Sequence, residues 1–282
     1  MRLGPNRYGK SGIHVATLTR HGDRHDFSER VVEVRLVGDF DAVHLEGDNS
    51  TVLPTDTMAR SVYALANEQP DEEIEAFALR YTAHLLEASP AATAAEVWVV
   101  EHPWDRVEID GRPHPHAFTR AAYRRTAHAA RDPEGVRLTA GLADLSMLKT
   151  AGSAFGGFLK DRYTLLPETE DRILATTIDA DWRYATTDID FPAEREAVRE
   201  TIVRAFAEHD ESRSMQHTLW VMGRAVLEAV PNVEEITFSL PNLHHVPVDL
   251  EPYGLENRGE VFVVTDKPSG RIEGTVRRSD GD

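Results

Sequence analysis

The alternation of apolar and polar positions predicts four strands in the first half of the chain. Val32, Val34 and Leu36 fall on one face of the second strand, which is the period-two pattern of a half-buried strand. The four predicted strands are 12–20, 30–38, 94–109 and 117–130.

Two helices are predicted between the second and third of these strands. The first begins at Thr55–Asp56, and the second has Asp71 as its N-cap with Glu72 and Glu73 in its first turn. The apolar stripe of the first helix consists of Met58, Val62 and Leu65. The stripe of the second consists of Ile74, Phe77, Ala78, Tyr81 and Leu85.

The second half of the chain repeats this order of elements. One helix starts near residue 192, with Pro192 in its first turn, and another spans about 213–229. Their inward stripes are Val198, Ile202, Ala205 and Phe206, then Leu219, Met222, Val226 and Leu227. The predicted strands are 136–149, 177–190, 234–240 and 260–278.

Two strands, two helices and two strands, repeated, predict an α+β fold of antiparallel sheets with helices on one face. The join falls at the RDPEG turn signal, so we expect domains at 1–133 and 134–282. Open sheets leave unpaired edges, and ring closure between copies of the chain would remove them. We therefore expect an oligomer.

The net charge and the composition of the chain exclude several classes of ligand and of chemical site. Of 282 residues, 31 are basic and 48 acidic, a formal net charge of −17. Such a chain is a poor nucleic-acid or membrane-surface binder, and an anionic ligand needs a local cation such as Arg172. The absence of cysteine excludes disulfides and thiolate sites. The N-terminal residues have no apolar signal segment and the C-terminus has no Ser-Lys-Leu, so we expect a cytoplasmic protein.

The segment 155–174, FGGFLKDRYTLLPETEDRIL, fits neither a helix nor a buried strand. Long connections without regular structure are usually functional or disordered, and this one has too many aromatic residues for disorder. We predict an ordered loop that presents one aromatic ring and one guanidinium to a planar anion.

This loop closely resembles the corresponding segment of the urate oxidase (uricase) family. Five further segments resemble it in the same order: NRYGKSGI at 6–13, GDFDAVHLEGDNSTVLPTDT at 38–57, HPWDR and GRPHPHAF within 102–118, LSMLKTAGSAF at 145–155, and SLPNLHHVPVDL at 239–250. The resemblance implies two tandem tunnelling-fold (T-fold) domains that assemble into a tunnel-forming barrel. It also implies a homotetramer with active sites shared between subunits.

Three candidate site residues lie in the first half. By resemblance, Lys10 of YGK and the hydroxyl of Thr55 in PTDT relay the substrate proton, and Asp56 offers its backbone N–H to the substrate. Without the resemblance, Lys10 would be interpreted as a solvated side chain and Thr55 as a helix N-cap.

The loop itself supplies two candidates. By resemblance, the Phe155 ring stacks on the substrate and Arg172 grips neighbouring nitrogen and oxygen atoms of the urate anion. The ordinary alternatives are core packing for Phe155, and for Arg172 a surface ion pair with Asp171 or Glu168.

The remaining candidates follow in the second half. By resemblance, Gln216 hydrogen-bonds the far edge of the purine with help from the backbone of Met215. Asn242 holds dioxygen or the attacking water above the ring, and His244 completes the proton relay.

Several histidines leave alternatives open. His245 competes with His244 for the relay, and Leu243 stands where the family usually has lysine. His114 and His116 form an H-x-H pair that could bind a metal. No H-E-x-x-H or carboxylate triad accompanies them, so we interpret them as structural and predict no metal.

No nucleotide fingerprint is present, since GSAFGG at 152–157 lacks the G-x-G-x-x-G spacing. The resemblance implies an enzyme without cofactor that converts urate, dioxygen and water to 5-hydroxyisourate and hydrogen peroxide. Two alternatives remain: a metal-dependent hydrolase of a purine or pterin, as some T-fold relatives are, and a purine-binding protein without turnover.

Overall fold

The computed structural model describes residues 1–279; residues 280–282, the end of the predicted second domain, lie outside the described residues. The helices are α1 (Asp41–Leu45), α2 (Thr55–Glu68), α3 (Ile74–Ala88), α4 (Phe191–Glu208) and α5 (Met215–Ala229). The strands are β1 (Tyr8–His21), β2 (Arg24–Gly38), β3 (Ala92–Glu101), β4 (Trp104–Ile109), β5 (Arg112–Arg120), β6 (Arg124–Asp132), β7 (Gly135–Lys149), β8 (Leu174–Tyr184), β9 (Val233–Pro247) and β10 (Phe262–Arg277).

The first of two compact units comprises residues 1–141 and 186–192. Its strands are hydrogen-bonded in the order β1-β2-β3-β6-β7, and β1–β2, β2–β3 and β3–β6 pair antiparallel. Helix α2 packs on β1, and α3 packs on β3 and β6. The predicted face of β2 is confirmed, because Val32, Val34 and Leu36 are fully buried.

The second unit comprises residues 142–185 and the chain from 193 onward. Its strands follow the order β7-β8-β9-β10, and the β8–β9 and β9–β10 pairs are antiparallel. Helix α5 packs on β9 and β10. The inward residues of β9 are Ile236, Phe238 and Leu240, all buried.

The predicted helix stripes hold for the most part. All five stripe residues of α3 and all four of α5 are buried. In α2, Ala66 is buried where Leu65 was expected, and in α4 Ala205 is only half-buried.

The start of α3 was predicted wrongly. The helix begins at Ile74 with Glu73 as N-cap, so Asp71 is not the cap and Glu72 is not in the first turn. The Glu72 N–H donates to Gln69 O (3.2 Å), and the Glu72 carbonyl accepts from Arg30 Nη2 (2.5 Å). These contacts hold the residues before Ile74 in a separate turn.

Two predicted strands are each two strands. The segment 94–109 breaks at His102–Pro103, where proline cannot donate to a ladder, and 117–130 breaks between β5 and β6. Strands β4 and β5 form a separate hairpin. Asp110 and Gly111 make its turn with positive φ values of 53° and 71°, which is the Asp-Gly turn that tight hairpins favour.

The predicted strand 177–190 is displaced, because β8 begins at Leu174 and ends at Tyr184. The predicted join at residues 133–134 falls on the hairpin between β6 and β7, and the domain limits 1–133 and 134–282 stay a prediction. Across residues 1–279, no helix combines the length and apolar character that crossing a membrane requires.

Candidate active site

The segment 152–155 is held between two other segments of the second unit. Ser153 forms a parallel bridge with Ser212, and Ala154 N donates to Ser212 O (2.7 Å). On its other side, Phe155 and Thr169 exchange both backbone hydrogen bonds, at 2.8 and 3.0 Å. The loop is therefore fixed by backbone pairing although it contains no long strand or helix.

This pairing brings the predicted ring and guanidinium together. The Arg172 guanidinium lies 5.2 Å from the centroid of the Phe155 ring, within cation–π range. The Phe158 ring stacks on Phe155 with centroids 5.0 Å apart and planes at 19°. Phe158 is a neighbour of the candidate site that the sequence analysis did not assign; its spacing from Phe155 in FGGF was the available signal.

Arg172 does not make the surface ion pair considered as the alternative. Asp171 Oδ1 accepts from Ser153 N (3.2 Å), and Glu168 pairs with Lys160 (2.6 Å). Arg172 Nε is buried and has no hydrogen-bond partner within residues 1–279. Burial lowers the pKa of Arg172, which still leaves it protonated at neutral pH. Among the described residues, Arg172 is therefore a half-buried cation without a paired anion.

The N-terminus of α5 begins directly beyond the Ser212 bridge. Ser214 is the N-cap, and its side chain accepts from His217 N (3.1 Å). Met215 is buried and Gln216 is exposed, in the first two helical positions. Their N–H groups have no acceptor inside the helix, so they can serve a ligand. The Ser214 cap was not predicted, although serine before a helical stripe is a standard N-cap signal.

Asn242 and His244 continue the inward face of β9. Side chains on a strand alternate between faces, and the buried residues Ile236, Phe238 and Leu240 occupy the same alternation. His245 faces the other way, and its Nδ1 lies 3.3 Å from Leu243 O. This alternation favours His244 over His245 for any role on the site face.

Lys10 is exposed and stands at a break in the β1–β2 ladder. The register shifts between Lys10 and Ile13, and Gly12 in the bulge has φ +67°. A Cβ on Gly9 would lie 1.8 Å from Val34 O, so only glycine permits this pairing. Bulges re-aim side chains and are common beside active sites.

Thr55 and Asp56 are the first two residues of α2. The N-cap is Pro54 and makes no side-chain cap bond, so the interpretation of Thr55 as N-cap is wrong. Asp56 pairs with Arg60 on the exposed surface (2.6 Å), which leaves its backbone N–H available. Leu53 N donates to the Tyr8 hydroxyl (3.0 Å) and ties this turn to the YGK strand.

The nine predicted residues therefore fall into two groups. Lys10, Thr55 and Asp56 lie in the first unit, on β1 and the start of α2. The other six lie in the second unit, on the loop, the start of α5 and the end of β9: Phe155, Arg172, Met215, Gln216, Asn242 and His244.

The two histidines of the H-x-H pair contact each other and a neighbouring arginine. The His114 and His116 rings meet edge to face at 4.7 Å, and the His114 carbonyl accepts from Arg106 Nη1 (2.9 Å). In the part of the chain that the structure describes, no group of three or more His, Cys, Asp or Glu side chains is placed to hold a metal ion.

Comparisons with known proteins agree over almost the whole chain. A family model described as Uricase matches residues 6–128 and 138–273. A uricase from Arthrobacter globiformis is 42% identical over 277 residues, which cover 98% of this chain and 90% of that protein. A uricase from Danio rerio is 38% identical over 288 residues, covering 96% and 93%.

The crystal structure of the Arthrobacter globiformis uricase superposes with a TM-score of 0.94 at 41% identity, covering all of this chain and 96% of that one. The predicted α+β class, with antiparallel sheets and helices in the T-fold manner, is confirmed by this similarity.

Proposed function

Because the chain belongs to the uricase family, we propose that it oxidises urate with dioxygen and water, without a cofactor, to 5-hydroxyisourate and hydrogen peroxide. The family match over residues 6–128 and 138–273 is the observation that carries this function. The arrangement of Phe155 and Arg172 supports it independently, because a ring beside an unpaired guanidinium suits a flat anion.

The reaction balances without an added redox group. Removal of a proton from the urate anion gives an electron-rich dianion, which transfers two electrons to dioxygen. Dioxygen takes up two protons and leaves as hydrogen peroxide. Water then adds its hydroxyl to the oxidised ring and yields 5-hydroxyisourate. The protein contributes proton transfer, positioning and the exclusion of competing reactions.

Arg172 and Phe155 bind the substrate. The buried Nε of Arg172 lacks an acceptor in the free chain, and an unpaired buried polar group costs about 1–3 kcal/mol. A urate oxygen or deprotonated nitrogen supplies that acceptor, and the planar guanidinium can donate twice to neighbouring atoms. Phe155 covers one face of the purine, which requires Phe158 to give up its present stacking position.

The start of α5 binds the opposite edge of the purine. Gln216 has an amide that can both donate and accept, and it lies beside the free N–H groups of the first turn. The segment before α5 is bridged to the loop at Ser153–Ser212. Arg172 and Gln216 therefore act from two elements whose backbones are joined by hydrogen bonds.

Lys10, Thr55 and His244 relay protons, and Asp56 donates its backbone N–H to the substrate. Lys10 is exposed in the single chain, whereas a lysine needs burial or charged neighbours to act as a base. A second copy that covers Lys10 would supply that environment. We therefore assign Lys10, Thr55 and Asp56 of each site to one subunit and the loop group to its neighbour, within a homotetramer.

Asn242 holds dioxygen, and then the attacking water, over the purine. Its side chain lies on the inward face of β9 beyond the core residues, two positions before His244. An amide there can donate to dioxygen while His244 exchanges protons at the same face.

A peroxide assay tests the proposal. The purified protein is mixed with urate in air, and urate absorbance and hydrogen peroxide are followed together; the same mixture without dioxygen is the control. We expect one peroxide per urate in air and no urate loss without dioxygen. Urate binding without peroxide would instead leave a purine-binding protein, and activity lost with EDTA and restored by zinc would indicate a metal enzyme.

The cytoplasmic location expected from the sequence stays a prediction. It is checked by fractionating cells that express the chain and locating the urate-dependent peroxide activity.

A further inference from the structure

Thr176 is a fully buried hydroxyl without a partner. Its relative exposure is 0%, and its Oγ1 has no hydrogen-bond partner within residues 1–279. It lies on the inward face of β8 with the apolar residues Leu174, Ile178 and Ala180. A buried hydroxyl that bonds nothing destabilises a core, so the position calls for a reason other than packing.

The pairing of β8 with β9 places Thr176 directly opposite Asn242. Residues opposite each other on one face of an antiparallel pair have Cβ atoms about 4.5–5.5 Å apart. A rotation about the first side-chain torsion of each residue brings a threonine hydroxyl and an asparagine amide into hydrogen-bond range at that separation. Asn242 likewise has no side-chain hydrogen bond in the described chain.

On the other side of Asn242, the neighbouring strand provides no side chain that could bond its amide. Asn242 is paired with Gly270 on β10, where a Cβ would meet no atom within 4 Å. The β10 ladder is interrupted between Thr265 and Gly270. Of the two residues paired with Asn242, Thr176 is therefore the one whose side chain can hydrogen-bond its amide.

We propose that Thr176 is a positioning residue that orients the amide of Asn242 towards dioxygen. This rests on the proposed function, in which Asn242 holds dioxygen. Dioxygen has no hydrogen and can only accept, so Asn242 must present its Nδ2–H₂ group to it. The Oδ1 atom then faces away from dioxygen and accepts a hydrogen bond from the Thr176 hydroxyl, which holds the amide in that orientation.

The stability of a variant separates this role from a structural one. Thr176→Val keeps the shape and removes only the unpaired hydroxyl. A stabilising role of the hydroxyl in the core predicts loss of thermal stability, whereas the positioning role predicts an unchanged or higher Tm together with impaired use of dioxygen. Thr176→Ser keeps the hydroxyl and should behave nearly as the wild type.

The matched control is Thr177→Val. Thr177 is the next residue on β8, it faces the opposite side, and its hydroxyl lies 3.4 Å from Ser146 Oγ. The T177V substitution removes a hydroxyl from the same strand and leaves the face that carries Asn242 unchanged. We expect it to leave both the KM for dioxygen and the KM for urate within about two-fold of the wild type.

Initial rates are measured for the wild type, T176V, T176S and T177V, first at several dissolved dioxygen concentrations with saturating urate and then at several urate concentrations with fixed dioxygen. One misplaced hydrogen bond is worth about 1–1.4 kcal/mol, so T176V should raise the KM for dioxygen about five- to ten-fold with the KM for urate unchanged. If T176V does not fold, T176A is compared with T176S in the same way.

The outcomes are distinct. A raised KM for dioxygen in T176V, rescued in T176S and absent in T177V, supports the positioning role. A T176V enzyme with wild-type dioxygen dependence, or one that loses Tm and use of both substrates together, overturns it. A wild type that makes no peroxide contradicts the proposed function itself.

Discussion

The two units place different residue pairs at equivalent points of their sheets. In the first unit α2 and α3 are inserted between the paired strands β2 and β3, and in the second α4 and α5 are inserted between β8 and β9. Near the end of the inward face, the first sheet pairs Arg30 with Glu101. The second pairs Thr176 with Asn242.

The first pair is largely satisfied within its own unit. Arg30 donates from Nε to Ser28 Oγ (2.8 Å) and from Nη2 to Glu72 O (2.5 Å), and within residues 1–279 only its Nη1 lacks a partner. Glu101 accepts from Ser28 (2.8 Å) and from Arg125 (3.2 Å). These buried charges hold β2, β3, β6 and the turn before α3 together.

The second pair lies among buried polar groups that lack hydrogen-bond partners. Thr176 Oγ1, Arg172 Nε and Ser153 Oγ are buried without partners in the described chain. Burial penalises such groups unless something bonds them, and Arg172 and Ser153 belong to the segment that is proposed above to contribute to the active site. The corresponding position therefore carries a buried ion pair in the first unit and an unpartnered buried hydroxyl in the second.

The largest expected effect comes from removing the unpaired cation. Arg172→Ala should lower kcat/KM for urate about a thousand-fold, because two charge-assisted hydrogen bonds of about 1.5–3 kcal/mol each are lost. Steady-state kinetics measure it. Arg162→Ala removes an exposed arginine from the same loop and should stay within about two-fold. Equal losses in both variants would contradict a specific role for Arg172.

Breaking the closed pair should affect stability instead. Arg30→Met removes one partner of a buried ion pair and should destabilise the protein by about 3–5 kcal/mol, seen as a lower Tm. Activity per folded molecule should persist at low temperature. The control Arg224→Ala breaks the exposed pair with Glu228 and should cost less than about 1 kcal/mol. An Arg30 variant of normal Tm would remove the contrast between the units.

The aromatic pair gives a smaller kinetic effect. Phe155→Ala should raise the KM for urate about ten-fold, because stacking and area burial are lost from one purine face. Phe158→Ala is the matched variant, since Phe158 occupies the Phe155 ring in the free chain. It should leave the KM unchanged or lower it. A Phe158 variant more impaired than the Phe155 variant would reverse the assignment.

The smallest effect concerns pH. Burial lowers the pKa of His128, whose ring stacks on Trp98 at 4.5 Å. In the unfolded chain this histidine keeps its ordinary pKa of about 6.5, so below that pH the unfolded state binds more protons than the folded state. The stability that is present above that pH is therefore lost as the pH falls through the lower pKa of the folded state. His128→Phe keeps a stacked ring without the titration. Its Tm should fall less than that of the wild type between about pH 7 and pH 5; an equally steep fall would exclude His128.

Local pattern predicted the core of the fold better than its boundaries. The stripe of α3 was predictable because a 3.6-residue period requires only that one face be apolar. The start of α3 was not, since it is set by Arg30, which binds Glu72 from a distant strand. The hairpin turn at Asp110–Gly111 carried a readable Asp-Gly signal, which lies between the predicted strands 94–109 and 117–130 and was not used.

The candidate site was likewise predictable only in part from the sequence. Resemblance named Phe155 and Arg172, and the structure adds that neither Asp171 nor Glu168 neutralises the arginine. No local pattern could reveal the pairing of Thr176 with Asn242, because strand register is decided across 66 residues of chain. The predicted strand 177–190 did not include Thr176, which the structure places on the buried face of β8.

Complementation between two inactive variants tests the shared site most directly. Lys10→Met removes a residue of the first-unit group, and Arg172→Leu removes one of the second-unit group. When the two chains are co-expressed in equal amounts, a site built from two subunits is intact about one time in four by random assembly. We predict about a quarter of wild-type urate oxidation in the mixed protein and almost none in either variant alone. No recovery in mixed oligomers would contradict a site made by two copies of this chain.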